Sequence, residues 1–196
     1  MAIKVLGVGG SLRVGSYSSR ALRLVLELAG RRGAQTRLLE LRSVPLPLYN
    51  PDTEEVTDEV REVGEAVLWA DAFVLASPDY HGTLSGAMKN FLDYHWSEFA
   101  GKLFGYVCAS HEKGLTVMEG MRTAVRQCYG WSLPYGVSVH GEQEFDAAGA
   151  VVNARLEARL RMLARDVVTY GALLREQFLR DSGGGDPDTF AARYGP

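Results

Sequence analysis

The sequence predicts an α/β protein in which a parallel sheet carries helices on both faces. Three observations predict it. Short apolar runs alternate along the chain with amphipathic helical patterns, five of each. The runs are almost continuously apolar, as in strands covered on both sides. The segments richest in Gly, Ser and His follow the first, third and fourth runs, where such a sheet binds ligands beyond its C-terminal strand ends.

The elements follow in order. "IKVLGV" is the first strand, and "SRALRLVLELAGRRG" puts Leu22, Val25, Leu26 and Ala29 on one helical face, with Ser18 or Ser19 as its cap. "QTRLLEL" is the second strand; the three prolines of "RSVPLPLYNPD" forbid regular structure after it. "TDEVREVGEAVLWAD" is a helix with acidic residues in its first turn. "AFVLAS" is the third strand, "PDYHGTLSG" a loop and "AMKNFLDYHWSEF" a helix. "LFGYVCAS" is the fourth strand, "HEKGLTVMEGMRTAVRQCYG" a loop and helix, and "PYGVSVHG" the fifth strand. The final helix is expected from Asp146 to about Phe178. A single domain over 1–180 and a mobile tail over 181–196 complete the expectation.

Bulk properties exclude several classes. A chain of 196 residues with 46% hydrophobic and 23% charged residues suits one soluble domain. The net charge of -3 gives no footprint for nucleic acid. No apolar run approaches the roughly 18 residues of a membrane span, and no secretory signal opens the chain, so the expected location is cytoplasmic. The two cysteines, Cys108 and Cys128, read as reduced thiols in or near the core. No metal-ligand spacing is present.

The first loop, "GGSLRVGSYSSR", concentrates hydroxyls and two arginines between a strand and a helix. It is not a Walker loop, because no Gly-Lys-Ser/Thr follows, and the Gly-x-Gly-x-x-Gly pattern begun at Gly7 and Gly9 fails at Leu12. Its chemistry suits a terminal phosphomonoester. The helix start offers free amides, Arg13 can donate two parallel bonds, and Ser11, Ser16 and Ser18 can donate one each. A cap alone would need one hydroxyl. In the second loop Pro78 stiffens the strand exit, Gly82 permits close approach to a flat ligand, and Tyr80 and His81 lie at the mouth of the crevice.

Together "GSLRVGSYSSR", "VPLPLYNPD" and "SPDYHGTLSGAMKNFLDY" resemble the NADPH-dependent FMN reductase family, which includes quinone, chromate and azo-dye reductases. The resemblance covers most of the first hundred residues. It implies a flavodoxin-like three-layer sandwich with a five-stranded parallel sheet in the order 2-1-3-4-5. It implies FMN as cofactor, with NADPH or NADH as co-substrate. Ser11, Arg13, Ser16 and Ser18 would hold the phosphate with Tyr17 close by, and Pro78, Asp79, Tyr80, His81 and Gly82 would hold the flavin ring, largely by backbone. The family more often has Glu and Asn where this chain has Asp79 and His81. Its third loop is usually glycine-rich; here "SHEKGLTV" leaves Ser110, His111 and Gly114 for the flavin's pyrimidine edge.

The resemblance further implies hydride transfer from nicotinamide through FMN to a small acceptor (quinone, flavin, azo compound or chromate) by a ping-pong scheme. No catalytic side chain is needed, because the flavin carries the chemistry. A homodimer or homotetramer is expected from the family. Lys113 and Arg20 are the rim cations open to a nucleotide 2′-phosphate. Outside the loops, His95 and His140 read as structural, Tyr94, Trp96 and Phe99 as core or subunit interface, and the arginines of the last helix as a solvated face. Two alternatives stay open: a flavodoxin-type electron carrier without a substrate site, and a flavin-free nucleotide or sugar-phosphate module.

Overall fold

Val5, Val74 and Val107 bury against one helical layer and Leu6, Phe73 and Phe104 against another, on the opposite side of the same sheet. This is the two-residue period of strands covered on both faces. The structure, a computed structural model, describes residues 2–53 and 56–195; Met1, Glu54, Glu55 and Pro196 lie outside it. The strands are β1 (Lys4–Gly9), β2 (Gln35–Glu40), β3 (Ala72–Pro78), β4 (Leu103–Ala109), β5 (Trp131–Ser132) and β6 (Val137–Val139). The helices are α1 (Tyr17–Gly30), α2 (Asp58–Trp69), α3 (Gly86–Asp93), α4 (Leu115–Gln127), α5 (Ala154–Ser182) and α6 (Phe190–Tyr194). The sheet runs β2-β1-β3-β4-β5, all parallel, and β6 also pairs with β4.

Helices α1 and α5 cover one face, burying Leu22, Val25 and Leu26 with Leu160, Leu163 and Val167. Helices α2, α3 and α4 cover the other with Val63, Val67, Met88, Phe91, Met121 and Val125. On that second face Phe73 and Phe104, partners in the β3–β4 register, stack with centroids 4.5 Å apart. Such a pair adds to the area it buries.

Four expectations need correction in detail. The expected fifth strand, 134–141, keeps only Val137–Val139 as β6, since Pro134 has no amide for the ladder, and Trp131–Ser132 ahead of it pairs separately as β5. Leu103 faces Trp131 while Val107 faces Val137, so four steps along β4 span six along its neighbour. Helix α3 ends at Asp93; after it Phe99 turns into the core and Trp96 out to solvent. Helix α5 starts at Ala154 instead of Asp146, with the Asn153 side chain accepting from the amides of Arg155 (2.9 Å) and Leu156 (3.2 Å). The segment 181–196, read as a tail, includes the end of α5 and carries α6. Ala191 is buried there beside Phe178 and Ala100, and the Tyr194 ring stacks on Tyr129 at 4.7 Å. Among the described residues no helix is long and apolar enough to cross a membrane.

The N-terminal edge of the sheet holds two buried bases. Lys102 donates to the Val67 carbonyl near the end of α2 (2.8 Å), and burial, with the nearby Arg175 charge, lowers its pKa to about 8. His95 lies between the rings of Phe91 and Phe99, and its Nε2 has no hydrogen-bond partner among the described residues. Burial lowers its pKa to about 4. Between pH 6.5 and 4 the unfolded chain therefore takes up a proton that the folded protein refuses, and stability falls as pH falls through that window. By pH 5 the loss is about 2 kcal/mol. His95→Phe, which suits the aromatic surroundings, is expected to remove this slope. Urea midpoints compared at pH 7.5 and pH 5 check it: wild type drops and the variant holds.

Candidate functional site

The C-terminal ends of β1, β3 and β4 lie side by side, so the three loops singled out in the sequence meet at one edge. β1 and β3 are neighbours with β2 outside them, which makes the β1/β3 gap the switch point of the strand order.

The first loop leaves β1 still tied to β3, with the Gly10 amide donating to the Ala76 carbonyl (2.8 Å). The Ser85 hydroxyl donates to the Gly10 carbonyl (2.6 Å) and accepts from the Met88 amide (3.1 Å), so one side chain caps α3 and holds the loop. Leu12 to Gly15 then project into solvent, while Ser11, Ser16 and Ser18 are buried. Arg13 is exposed, with its guanidinium unpaired among the described residues.

Ser18 and Ser19 do not cap α1, as the sequence suggested; the N-cap position is Ser16. Even Ser16 makes no capping bond, because its hydroxyl lies 2.9 Å from that of Ser18. Thr57, Ser85, Asn153 and Thr189 cap their own helices with side-chain oxygens. The amides of Tyr17, Ser18 and Ser19 therefore have no partner among the described residues, and Arg20 is the first residue to bond back, to the Ser16 carbonyl (3.0 Å). Three amides, three buried hydroxyls and an unpaired guanidinium form a donor set with no acceptor among them except the hydroxyl oxygens. That chemistry fits a dianionic phosphate.

Glu40, at the end of the neighbouring β2, contributes the nearby negative charge. Arg23 (2.7 Å) and Arg42 (3.7 Å) both pair with it.

The second loop is a tight turn. Tyr80 and Thr83 exchange two backbone hydrogen bonds (3.0 and 3.3 Å), and His81 and Gly82 between them have φ of 58° and 79°. Both central residues are left-handed, as in a type I′ turn. Histidine, like asparagine, tolerates that region better than most residues. The Asp79 carboxylate organises the rest: Oδ1 accepts from the Gly82 amide (2.8 Å), and Oδ2 accepts from the Ser110 hydroxyl (2.7 Å). Tyr80, His81 and Gly82 are exposed, and Pro78 is buried.

Through Ser110 the second loop is bonded to the third. The Ser110 hydroxyl also accepts from the Glu112 amide (3.1 Å). Gly114 begins α4 at φ 61°, and a Cβ there would lie 2.6 Å from the Cys108 Sγ, so glycine is required. His111, Glu112 and Lys113 are exposed. The Cys108 thiol beneath is pushed up to about 12 by burial and then by the Asp79 charge, so it stays protonated and inert.

The structure brings Ser16 and Ser18 together at the start of α1, with Ser11 buried in the loop before it and accepting from the Arg13 amide (3.3 Å), and Asp79, Gly82 and Ser110 together at the β3/β4 exits. Tyr17 is half-buried and turned toward a fourth loop, Gly141–Asn153, whose residues from Asp146 on the sequence had merged into the last helix. This loop folds into a small hairpin. Phe145 bridges Val151, and the Glu144 carboxylate accepts from the His140 amide (2.6 Å) and the Asn153 side chain (3.4 Å). Tyr17 packs on Phe145 with centroids 5.4 Å apart. The signals for it were Gly141 and Gly149, both with positive φ, and Asn153 as a cap.

Beside the first loop lies a cleft of about 490 Å³ between Leu12, the proline-rich segment and the start of α3. Asn90 shapes its wall by donating to the Pro47 carbonyl (2.7 Å) and accepting from the Tyr49 amide (2.8 Å); the Tyr94 hydroxyl adds a bond to Pro47 (3.0 Å).

The architecture is flavodoxin-like. The solved structure of FerB, a flavoenzyme NAD(P)H:(acceptor) oxidoreductase from Paracoccus denitrificans, superimposes with a TM-score of 0.75 at 18% identity, over 88% of this chain and 98% of that one. The NADPH-dependent FMN reductase ArsH of Shigella flexneri is 27% identical over 182 residues, 88% of this chain and 70% of its own. An FMN-dependent NADPH-azoreductase of Staphylococcus aureus is 24% identical over 181 residues, 86% of this chain and 95% of its own. The model of the NADPH-dependent FMN reductases matches residues 3–144, a span that takes in all three strand-end loops. By that match this chain belongs to the NADPH-dependent FMN reductase family of flavoprotein oxidoreductases.

Proposed function

We propose that this protein is an FMN-dependent NAD(P)H oxidoreductase that delivers two electrons to a small acceptor, a quinone, free flavin, azo compound or chromate, by a ping-pong scheme. The observation that carries the reading is the uncapped start of α1, with its open amides set among Ser11, Ser16, Ser18 and Arg13. A phosphomonoester satisfies these donors at once, and FMN is the family's phosphomonoester cofactor.

Each group then has a task. Ser11, Ser16, Ser18 and the α1 amides bind the phosphate, Arg13 neutralises it and Tyr17 borders it. The Pro78–Gly82 backbone supports the ring, and Ser110, His111 and Gly114 border its pyrimidine edge. Asp79 works as a tie: with both oxygens engaged by Gly82 and Ser110, it holds the ring-binding turn against the third loop. The reading assigns no side chain to acid–base or nucleophilic work, in keeping with the inert thiol of Cys108. When bound, FMN would supply the two-electron chemistry between the nicotinamide and the acceptor. A homodimer or homotetramer accompanies the reading, supported by the exposed apolar side chains of Val14, Leu48 and Leu173.

An anaerobic absorption spectrum before and after NADPH, then NADH, tests the function. Flavin bands that bleach within seconds and return on adding a quinone are the expected result. A yellow protein that keeps its colour would be an electron carrier, and one that stays colourless with added FMN would overturn the reading. Two variants separate the ends of the site. Arg13→Ala is expected to raise the FMN Kd about tenfold or more, a charged hydrogen bond contributing about 1.5–3 kcal/mol, and to leave riboflavin binding unchanged. Asp79→Ala is expected to weaken FMN and riboflavin by a similar factor, about tenfold on the same scale. Fluorescence titration of the apoprotein reads both.

A further inference from the structure

We infer that Arg20 is a second cation for the cofactor phosphate, presented from the side of the Gly141–Asn153 hairpin. The inference rests on the FMN reading above. It assigns Arg20 to FMN and not to the 2′-phosphate of the nicotinamide nucleotide.

Arg20 lies in the first turn of α1, and its guanidinium has no carboxylate or carbonyl partner among the described residues. Three residues on, Arg23 pairs with Glu40 at 2.7 Å. Arg20 is half-buried, so its charge is partly desolvated without a counter-ion. Its position is defined from three sides. The guanidinium carbon lies 5.4 Å from the centroid of the Tyr17 ring. A Cβ on Gly15, in the first loop, would lie 3.5 Å from Nη2, and one on Gly149, in the hairpin, would lie 3.3 Å from Nη1. The guanidinium therefore sits between the phosphate loop and the hairpin tip. Helical side chains lean toward the N-terminus of their helix, and here that direction leads to the open amides of Tyr17, Ser18 and Ser19.

The surroundings hold it there. Tyr17, under the guanidinium, is wedged against Phe145, and a Cβ on Gly141 would lie 3.2 Å from its ring. The hairpin is closed by the Asp146 amide donating to Ala150 (2.9 Å), the Ala150 amide donating to the Asp146 carboxylate (2.8 Å) and the Val152 amide donating to Glu144 (2.9 Å). Two of the three acidic groups of this loop are engaged, Asp146 by the Ala150 amide and Glu144 by His140 and Asn153, and the third, Glu142, is exposed. Arg13 and Arg20 then offer two cations near the start of α1, one on an exposed loop and one packed against the hairpin.

Titrating apoprotein with FMN and with riboflavin tests the assignment. Arg20→Met keeps the length and stacking of the side chain and removes the charge. It is expected to raise the FMN Kd about tenfold, to leave the riboflavin Kd unchanged and to flatten the salt dependence of FMN binding. Arg20→Lys should recover part of the loss. Thermal melting confirms folding, and Arg20→Gln carries the same readout if Met disturbs α1. Equal weakening of FMN and riboflavin would reduce Arg20 to a packing residue and overturn the inference. So would an unchanged FMN Kd with a raised KM for NADPH but not NADH, which would return Arg20 to the nucleotide. Failure of the underlying reading looks different: wild type would then show no preference for FMN over riboflavin.

Discussion

Three backbone amides at the start of α1 have no partner within the described chain, and much of the structure is arranged around that fact. Leaving a helix uncapped costs about 1 kcal/mol against a serine or threonine cap. The sequence has a serine at the capping position, yet its hydroxyl turns to Ser18. The neighbours keep competing acceptors away from the amides. β1 stays in register with β3 through Gly10, Ser85 pins the same residue from α3, and two arginines engage the Glu40 carboxylate. A helix start prepared in this way is stabilised by an anion and by little else.

The Pro78–Gly82 turn follows a different logic. There the backbone is shaped by one carboxylate rather than left open. Asp79 draws the Gly82 amide into the turn and the Ser110 hydroxyl across from the next strand. The turn and the third loop are thus coupled by charge-assisted bonds, each stronger than a neutral one. The single left-handed residue of the third loop is Gly114, closely packed over Cys108. An aspartate at position 79 and a histidine at position 81 fit this geometry, since the reach to Ser110 is short and the left-handed region accepts His.

The sheet and its three strand-end loops were legible because they depend on local pattern. Nearly continuous apolar runs such as "AFVLAS" identify covered strands, and Ser, Gly and His clusters identify loops. The fifth strand was less so, since "LPYG" breaks a ladder that the pattern would continue. The start of α5 was read about two turns too early because Ala147, Ala148, Ala150 and the valines after them have helical or neutral composition. The stop signal, Gly149, is a single residue. The open amides were legible as a possibility, but the diversion of Ser16 to Ser18 was not, because hydroxyl choice is decided by packing. The position of Arg20 was likewise beyond reach, since it depends on Gly15 and Gly149, which are distant in sequence and adjacent in space.

The hairpin changes what the start of α1 is attached to. Loops one to three leave β1, β3 and β4, which are central and well paired. The fourth leaves β6, a three-residue strand held by β4 alone at the end of a broken ladder. Its contact with α1 runs through Tyr17, Phe145 and Arg20. An anion held between the α1 amides and Arg20 would join the weakest part of the sheet to the helix that covers its centre. Any ligand that binds only the folded state stabilises it in proportion to the logarithm of its concentration over Kd. Here the gain would fall first on the β6 exit, a three-residue strand paired with β4 alone, and on the hairpin that follows it. Cofactor retention and order in the second half of the sheet would then be two readings of the same contact.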